Sequence, residues 1–393
     1  MPTADGALAG LRVVDLSRVL AGPLCTQMLA DHGAEVVKVE PPAGDETRGW
    51  GPPFVGPATS AYFTGLNRNK RNIVLDLRSD LGREALARLL EDADVLVENY
   101  KAGTLETWGF GDEVLADRYP RLIHARITGF GVDGPMGGAP GYDAVLQAYG
   151  GLMSINGETG GPPLRVGVPI VDMVTGVFAF TGILLALNER HSSGRGQLVD
   201  CTLLDTAVNL LHPHTPSWFA DGRVPARTGS AHPTIAPYDT FHCRDGIFFL
   251  AVGNDRQFRE LAGVLGVPEL ADDPRFVTNP DRVVQRDDLR SILVPLLREW
   301  DREALGQALL ARGVPSSPVH DVGETLTNPQ VRYRDLVVEL EGYTGVGIPV
   351  KLQRTPGSVR TPPSEPGVDT ASVLRDLGFT AEQIAAVTGA AVR

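Results

Sequence analysis

One acidic residue, Asp172, stands at a place where the sequence is otherwise strongly apolar. It follows Pro169-Ile-Val171 and precedes an apolar stretch, Met173 to Asn188, whose length and composition predict a helix. A carboxylate in such surroundings costs free energy unless it is paired or used. The local pattern leaves two interpretations open: an N-cap that accepts the first N–H groups of the helix, or a nucleophile that forms a covalent intermediate.

Two other side chains are candidates for binding a substrate. Arg18 follows the first predicted strand, and its guanidinium could hold a substrate carboxylate through paired hydrogen bonds or simply face solvent. His232 lies in a loop rich in Gly and Pro, where one histidine by itself indicates no particular role. No metal site is expected, because the three cysteines are far apart and His212 and His214 lack further ligands at metal-binding spacing.

A glycine-rich segment has the spacing of a dinucleotide-binding motif but not its context. Gly129, Gly131 and Gly134 follow a predicted strand, yet the Gly and Pro residues up to Pro140 cannot begin the helix that this motif requires. Walker A and G-x-S-x-G motifs are absent from the sequence. We therefore expect no nicotinamide cofactor, and a close-packed loop at the carboxyl edge of a sheet, where open α/β folds bind their ligands.

Composition and charge narrow the range of functions. A chain of 393 residues is longer than a single hydrophobic core usually accommodates, which favours two domains. A net charge of −12 argues against nucleic acid as a partner, while Asn67-Arg-Asn-Lys-Arg71 is either a site of concentrated positive charge or a solvated loop. The N-terminus lacks signal-peptide features, and the longest apolar run is shorter than the ~20 residues of a membrane span. These features, with the unpaired cysteines, predict a cytoplasmic protein without a membrane partner.

Strands and helices alternate in the first half of the sequence. The predicted strands are Leu11–Leu16, Glu35–Glu40, Asn72–Asp76, Ala93–Glu98 and Leu122–Thr128. This alternation predicts an α/β fold with a Rossmann-like, doubly wound parallel sheet covered on both faces.

A change in amino-acid composition marks the start of a second region. Beyond a Pro-rich stretch at 213–237, a strand at Gly246–Val252 and helical runs near Gln257–Leu265, Val284–Trp300 and Arg302–Arg312 predict a smaller α+β domain. We predict a large domain at residues 1–205 completed by 365–393, a linker at 206–228, a small domain at 229–325 and a returning linker at 326–364.

Motifs in a fixed order along nearly the whole chain are more specific than any one of them. They are Leu11-Arg-Val-Val-Asp-Leu-Ser-Arg-Val-Leu-Ala-Gly-Pro23, Asp31-His-Gly-Ala-Glu-Val-Val-Lys-Val-Glu-Pro41, Gly44-Asp-Glu-Thr-Arg48, Asn67-Arg-Asn-Lys-Arg71, Asp94-Val-Leu-Val-Glu-Asn-Tyr100, Gly141-Tyr-Asp143, Asp172-Met-Val-Thr-Gly176 and Ser193-Gly-Arg-Gly-Gln197. With them the sequence resembles the class III CoA-transferases, the group of formyl-CoA transferase and carnitine CoA-transferase. The resemblance is greatest to the dicarboxylate members, such as succinate–hydroxymethylglutarate CoA-transferase, on the basis of Ser17–Pro23, Trp50–Val55, Gly141-Tyr-Asp143 and Gly229–Tyr238.

The resemblance implies a reaction and an assembly. CoA would pass from an acyl-CoA, either succinyl-CoA or another dicarboxylyl-CoA, to a carboxylic acid, with Asp172 as nucleophile and an aspartyl-CoA thioester as intermediate. Thioester energy is conserved in such a cycle, so no permanently bound cofactor is implied, and coenzyme A enters as part of the substrate. The family also implies an interlocked homodimer of two ring-like chains.

The resemblance assigns the remaining site residues by position. Arg18 and His232 are the predicted substrate contacts, and the predicted CoA contacts are Leu20, Ala21, Leu75, Arg78, Asn99, Tyr100, Lys101 and Tyr142. Pro41 and Thr107 stand where formyl-CoA transferase has CoA-contacting arginines, so the alternatives for phosphate binding are Lys70, Arg71 and Lys101. Backbone N–H groups at the start of the Asp172 helix are expected to stabilise oxyanions.

Two other functions stay open. An α-methylacyl-CoA racemase of the same fold needs proton transfer by two bases, and Tyr142 stands where that enzyme has a histidine. A tyrosine with an ordinary pKa of ~10 is a poor base at neutral pH, which favours the transferase. A non-catalytic CoA-binding subunit would need no nucleophile, and the presence of Asp172 argues against it.

Overall fold

The computed structural model of the chain describes residues 6–55 and 59–391. The chain divides into two compact units that alternate along the sequence. The first unit comprises the described residues up to Leu152, together with Arg165–Pro213 and the chain from Pro329 onward; the second comprises Met153–Leu164 and His214–Asn328. Two clusters of buried apolar side chains lie in the first unit and one lies in the second.

A six-stranded parallel sheet forms the centre of the first unit. Its strands are β1 (Arg12–Asp15), β2 (Glu35–Glu40), β3 (Lys70–Val74), β4 (Val95–Glu98), β5 (Ile123–Thr128) and β6 (Leu198–Thr202). Their spatial order is β3-β2-β1-β4-β5-β6, and every neighbouring pair is parallel. This is the strand order of a doubly wound Rossmann fold, which confirms the predicted sheet. The edge strand β6, whose Asp200 pairs with Arg126, was not predicted.

Side chains of the inner strands alternate between the two faces of the sheet, as a pleated strand requires. Val13 and Val95 belong to one apolar cluster, and the next residues along each strand, Val14 and Leu96, belong to the other. Both faces are therefore covered, as predicted for an open parallel sheet.

Helices connect the strands and complete both units. They are α1 (Ala21–Asp31), α2 (Ala61–Thr64), α3 (Asp80–Glu91), α4 (Thr104–Thr107), α5 (Asp112–Arg118), α6 (Asp143–Tyr149), α7 (Leu152–Ile155), α8 (Ile170–Ser193), α9 (Leu203–Asn209), α10 (His214–Asp221), α11 (Asp255–Val264), α12 (Asn279–Val284), α13 (Arg286–Arg298), α14 (Arg302–Ala311), α15 (Val322–Thr327), α16 (Pro329–Tyr333), α17 (Thr370–Asp376) and α18 (Ala381–Ala391). Short 3-10 helices occur at Glu46–Gly49 and Pro268–Ala271.

The order of the strands reverses between β1 and β4, which lie side by side at the centre of the sheet. Val13 pairs with Val95, and Asp15 pairs with Val97. Open parallel sheets bind ligands beyond the carboxyl ends of the strands at such a reversal. The loops that follow β1 and β4 therefore meet where the topology predicts a ligand site.

Helix α8 packs within the first unit against α1, β5, β6 and α9. Val171, Ala179, Ile183 and Ala186 on this helix are buried in the apolar cluster. Among the described residues it is the one helix long and apolar enough to cross a membrane, with 33% of its most apolar window buried. Length and composition alone do not separate a membrane span from a core helix, and the buried face of α8 has the packing of a core helix.

The second unit is α+β. Its antiparallel sheet contains β7 (Tyr238–His242), β8 (Ile247–Ala251) and β9 (Ser316–Pro318) in the order β7-β8-β9. Strand β8 and helices α11, α13 and α14 confirm the elements predicted from this part of the sequence. A hairpin of β10 (Val337–Leu340) and β11 (Tyr343–Val346) belongs to the first unit.

The basic segment Asn67–Arg71 is mostly buried. For most of its length it is therefore neither a solvated loop nor a site of positive charge open to an anion. Arg68 pairs with Asp31 at 2.7 Å, and Lys70 pairs with Asp15 at 3.1 Å. Arg71 is exposed and pairs with an acidic side chain of α17. Sequence pattern could not show that acids distant along the chain neutralise these cations.

Candidate active site

A cavity of about 240 Å³ lies at the carboxyl ends of β1, β4 and β5, where the strand order reverses. The loop after β1, the loop after β4 and the glycine-rich loop after β5 form its walls. The structure brings together in its lining the predicted site residues Arg18, Leu20, Ala21, Asn99, Tyr100, Lys101, Tyr142 and Asp172. The fold thus gathers in one place residues that are up to 154 positions apart, from 18 to 172, in the sequence.

Asp172 is the third residue of α8, not its N-cap. The helix begins at Ile170, the N-cap position is occupied by Pro169, and no side chain at that position bonds the helix. The N-cap interpretation is therefore wrong, because Asp172 lies three residues beyond the N-cap position, inside the first turn. Asp172 is 9% exposed, and its carboxylate has no hydrogen bond to any residue that the structure describes.

Asp143 takes the capping role instead. Its Oδ2 accepts hydrogen bonds from the backbone N–H groups of Val171 at 2.8 Å and Asp172 at 3.1 Å. Its Oδ1 accepts a bond from Gln147 Nε2 at 2.6 Å. A carboxylate from α6 therefore satisfies donors at the start of α8 that would otherwise lack partners.

The N–H groups at the start of α8 are not free to bind an oxyanion. Those of Val171 and Asp172 donate to Asp143, that of Ile170 donates to Val168 O at 2.8 Å, and that of Met173 donates to the carbonyl of the N-cap residue at 3.0 Å. The expectation that these groups stabilise oxyanions is therefore wrong, since each already has an acceptor.

Burial, together with a smaller contribution from the negative charge of Asp143, raises the pKa of Asp172 to about 7. The carboxyl therefore changes its charge near neutral pH, where an acid or nucleophile that must ionise is most useful. Burial also raises the pKa of the neighbouring Tyr62 phenol to about 12, with smaller contributions from the charges of Asp172, Asp143 and Asp45. Tyr62 thus lies within electrostatic reach of both carboxylates and keeps its proton.

Arg18 is fixed by its backbone and keeps unused donors on its side chain. Its N–H donates to Asn99 Oδ1 at 2.8 Å, and Asn99 Nδ2 donates to its carbonyl at 2.7 Å. The guanidinium lies 5.5 Å from the centre of the Tyr100 ring. Its Nε is buried without a hydrogen-bond partner among the described residues. Buried donors are usually paired, so this N–H is available to an acceptor.

A second cavity of about 320 Å³ adjoins the first through shared walls. Arg18, Tyr100 and Lys101 line both cavities, and the predicted CoA contacts Leu75 and Arg78 line the second. Arg78 pairs with an adjacent aspartate at 2.9 Å, and its side chain is 76% exposed. The two cavities together offer an extended site whose lining includes the cations Arg18, Lys101 and Arg78.

Of the three alternatives for phosphate binding, Lys101 lines both cavities. It forms no ion pair with a residue in the described part of the chain. Lys70 is buried beneath the site and pairs with Asp15, and Arg71 pairs with Asp376 at 3.4 Å. Neither of these two lines the cavities.

His232 belongs to the second unit, where it lies in the loop before β7. Its Nδ1 accepts a hydrogen bond from Thr234 N at 3.2 Å, and its ring lies 5.2 Å from that of Tyr238. Burial lowers the pKa of His232, with further lowering by Arg286 and His214. Its contact with substrate stays a prediction.

The family model of CoA-transferase family III matches residues 8–370 of the chain. The chain belongs to CoA-transferase family III. Succinate–glutarate CoA-transferase of Agrobacterium fabrum is 41% identical over 388 residues, which cover 96% of this chain and 97% of that protein. Acetyl-CoA:oxalate CoA-transferase of Acetobacter aceti is 41% identical over 349 residues, which cover 88% and 89% respectively. A crystal structure of a CAIB/BAIF family protein from Brucella suis matches with a TM-score of 0.88 and 39% identity, over 95% of this chain and 100% of that one.

The resemblance drawn from the sequence motifs is confirmed. Two residues that interact with Asp172, although they do not line the cavity, were not assigned a role from the sequence. Asp143 was part of the Gly-Tyr-Asp motif, but nothing in the motif showed that its carboxylate caps the Asp172 helix. Tyr62 carried no signal, because a lone tyrosine in a short helix is ordinary. Its relation to Asp172 arises only when α2 and α8 are brought together in the fold.

Proposed function

We propose that this CoA-transferase passes CoA from an acyl-CoA, either succinyl-CoA or another dicarboxylyl-CoA, to a carboxylic acid acceptor. The observation that carries the proposal is the buried Asp172 carboxylate, which lines the cavity at the strand reversal without a hydrogen-bond partner among the described residues. A carboxylate free of donors keeps its lone pairs available for attack on a thioester. The relative from Agrobacterium is named for succinate and glutarate, which are both dicarboxylates, and the relative from Acetobacter is named for acetyl-CoA and the dicarboxylate oxalate.

The proposed cycle uses Asp172 as its covalent group. Its carboxylate attacks the thioester carbonyl, and the C–S bond breaks. This step forms a mixed anhydride between Asp172 and the acyl group and releases CoA as a thiolate. The thiolate then attacks the aspartyl carbonyl, which releases the first acid as a carboxylate and leaves an aspartyl-CoA thioester. The acceptor carboxylate attacks this thioester, and the released thiolate attacks the acceptor's acyl carbon, which forms the new acyl-CoA and restores Asp172. Water would hydrolyse both intermediates, so burial of the carboxylate favours transfer.

The proposed position of CoA follows the two adjoining cavities. The thioester end occupies the cavity lined by Asp172, and the nucleotide end occupies the cavity lined by Leu75 and Arg78. Lys101 lines both cavities and supplies positive charge for the phosphates that connect these ends. No permanently bound cofactor is needed, since the cycle conserves the thioester.

Trapping the aspartyl intermediate tests this mechanism. The protein is incubated with succinyl-CoA and hydroxylamine, digested and analysed by mass spectrometry. We expect a hydroxamate on the peptide that contains Asp172, and none in the Asp172→Asn variant, which keeps the shape but lacks the nucleophile. An unmodified Asp172 peptide in an enzyme that turns over would exclude the covalent mechanism. Deuterium incorporation at the α-carbon of a methyl-branched acyl-CoA, without an acceptor acid, would favour the racemase instead.

We propose that Arg18 binds the second carboxylate of a dicarboxylic substrate, because its Nε lacks a partner and its side chain lines the Asp172 cavity. In a matrix of donor and acceptor acids, Arg18→Ala is expected to raise the KM for dicarboxylates at least tenfold more than the KM for monocarboxylates. An equal loss for both classes would remove this role. Arg78→Ala is the matched control, since Arg78 lines the nucleotide cavity and already pairs with Asp76.

We propose that the active protein is the interlocked homodimer of its family, and that it works in the cytoplasm. Helix α8 supports the first statement, because Met173, Val177, Phe178 and Leu185 on it are exposed in the single chain. The three cysteines are all free, as expected in a reducing compartment. Light scattering after size-exclusion chromatography should give the mass of two chains, and the mass of one chain would exclude the dimer.

A further inference from the structure

A network of buried charges lies behind the wall of the cavity. Asp15, Lys38, Asp45 and Lys70 are each exposed by 4% or less. Lys70 Nζ lies 3.1 Å from Asp15 Oδ2, and Lys38 Nζ lies 3.1 Å from Asp45 Oδ2. Buried ion pairs are weak evidence for stability, since apolar side chains of similar volume often fold as well or better. The network therefore matters more for the segments of the chain that it holds in place than for its contribution to the free energy of unfolding.

The network holds every polar atom of Ser17. The N–H and the hydroxyl of Ser17 both donate to Asp15 Oδ1, and its carbonyl accepts a bond from Lys38 Nζ at 2.8 Å. Gly22 packs directly on this serine, because a Cβ at Gly22 would lie 2.2 Å from Ser17 Cβ. Ser17 is thus fixed by hydrogen bonds to the charged side chains of Asp15 and Lys38 and by close packing against Gly22.

Val19 follows two residues later in a strained conformation. Its φ is +69°, in the left-handed region that β-branched residues avoid. Such strain persists only where the surroundings determine the backbone more strongly than the residue itself does. Ser17 is anchored on one side of the turn, and the backbone of Arg18 is bonded at both its N–H and its carbonyl to Asn99.

The same network reaches the start of α1 and, through it, the helix that carries Asp172. Lys70 Nζ donates to Pro23 O at 2.9 Å in the first turn of α1. Helix α8 approaches this turn closely, since a Cβ at Gly176 would lie 2.6 Å from Ala21 O. Residues 18–21 line the same cavity as Asp172, so their conformation sets part of the wall around the nucleophile.

We propose that Asp15, Lys38 and Lys70 are positioning residues whose buried network holds Val19 in its left-handed conformation and so places the loop of residues 18–21 against Asp172. The inference rests on the proposed function, because the loop is taken to hold the acyl-CoA. An acyl-CoA displaced by a fraction of an ångström from its nucleophile reacts more slowly even when it still binds. Loss of the network is therefore expected to lower kcat more than it raises the KM for acyl-CoA.

Glycine at position 19 separates positioning from general stability. Asp15→Asn keeps the shape of the side chain but removes its charge, and we expect it to lower kcat at least tenfold. Glycine adopts a positive φ without strain, so adding Val19→Gly should raise the kcat of Asp15→Asn at least threefold. Asp335→Gly is the matched control, because Asp335 also has a positive φ, of 52°, on the exposed surface. Added to Asp15→Asn, it should leave kcat unchanged.

Two outcomes would overturn the proposal. If both glycine substitutions raise kcat, the effect is general stabilisation. If neither does, strain at Val19 is not what the network opposes. If Asp15→Asn does not fold, Ser17→Ala replaces it, because that variant keeps both ion pairs and loses only the hydroxyl bond to Asp15. Amide hydrogen exchange of residues 17–22 gives a readout without activity. A wild type that transfers no CoA refutes the proposed function, whereas exchange that accelerates in Asp15→Asn and slows again with Val19→Gly still supports the positioning role.

Discussion

The side chain of Asp143 is hydrogen-bonded to the backbone of Asp172. Its Oδ2 lies 3.1 Å from Asp172 N and 2.8 Å from Val171 N. One carboxylate thereby fixes the first turn of the helix that carries the other. Burial raises the pKa of Asp172 to about 7, and the charge of Asp143 contributes to that rise. The position of Asp172 and its state of ionisation therefore both depend on Asp143.

The first prediction concerns the pH dependence of turnover. Attack requires the ionised carboxylate, and Asp172 is protonated below its raised pKa of about 7. We therefore expect kcat/KM to rise about tenfold per pH unit below that value and to level off above it. Asp143→Asn removes the like charge, so its rising limb should lie at lower pH. A wild-type profile that is flat from about pH 5 to pH 9 would contradict the prediction.

The second prediction concerns stability without substrate. Burial raises the pKa of Asp172 from 3.8 to about 7 on folding, so between these values the folded state holds a proton that the unfolded state has lost. Stability is therefore lost as the pH rises from about 4 to about 7. At ~1.4 kcal/mol per unit of pKa, the loss above pH 7 is about 4 kcal/mol.

Asp172→Asn removes this titration. The variant should exceed the wild type in free energy of unfolding by roughly 2 to 4 kcal/mol near pH 8 and by much less near pH 4. Guanidinium unfolding at both pH values measures the difference. A difference that does not change with pH would show that the pKa of Asp172 is not raised in the folded protein.

The third prediction concerns the phosphates of CoA. Lys101 lines both cavities without an ion pair among the described residues, whereas Arg71 lies outside them and pairs with Asp376. Lys101→Ala is expected to raise the KM for acyl-CoA about tenfold, because a charge-assisted bond to phosphate is lost at ~1.4 kcal/mol. Arg71→Ala should leave KM unchanged. Equal effects of the two substitutions on KM would indicate a general loss of positive charge rather than a contact.

The fourth prediction concerns the packing of the nucleophile helix. Gly176→Ala would place a Cβ 2.6 Å from the backbone carbonyl of Ala21, so α1 and α8 would have to separate. We expect a loss of about 1 to 3 kcal/mol in the free energy of unfolding, as for other overpacked sites, together with a lower kcat. Gly389→Ala in α18 is the matched control, since a Cβ there meets nothing within 4 Å. It should be neutral or stabilise by up to about 1 kcal/mol.

Much of the fold could be predicted because its signals are local. The alternation of strands and helices predicts a parallel sheet, and five of the six strands of that sheet fall where the apolar runs predict them. The strand order cannot be read from such runs, because each strand has the same pattern whichever neighbour it pairs with. Strand β6 was not predicted because it lies at the sheet edge, where partial exposure weakens the apolar signal.

The sequence by itself determined the family, the identity of Asp172 as the informative acid, and eight of the residues that line its cavity, because these depend on residue types in a fixed order. Only the tertiary structure decided what surrounds that acid. The pKa of Asp172 depends on burial and on Asp143, 29 positions earlier, whose carboxylate also occupies the helix N–H groups. Likewise, Lys70 proved to be a buried partner of Asp15 rather than a phosphate ligand. Charges and hydrogen bonds act through space, so their partners are fixed only once the chain has folded.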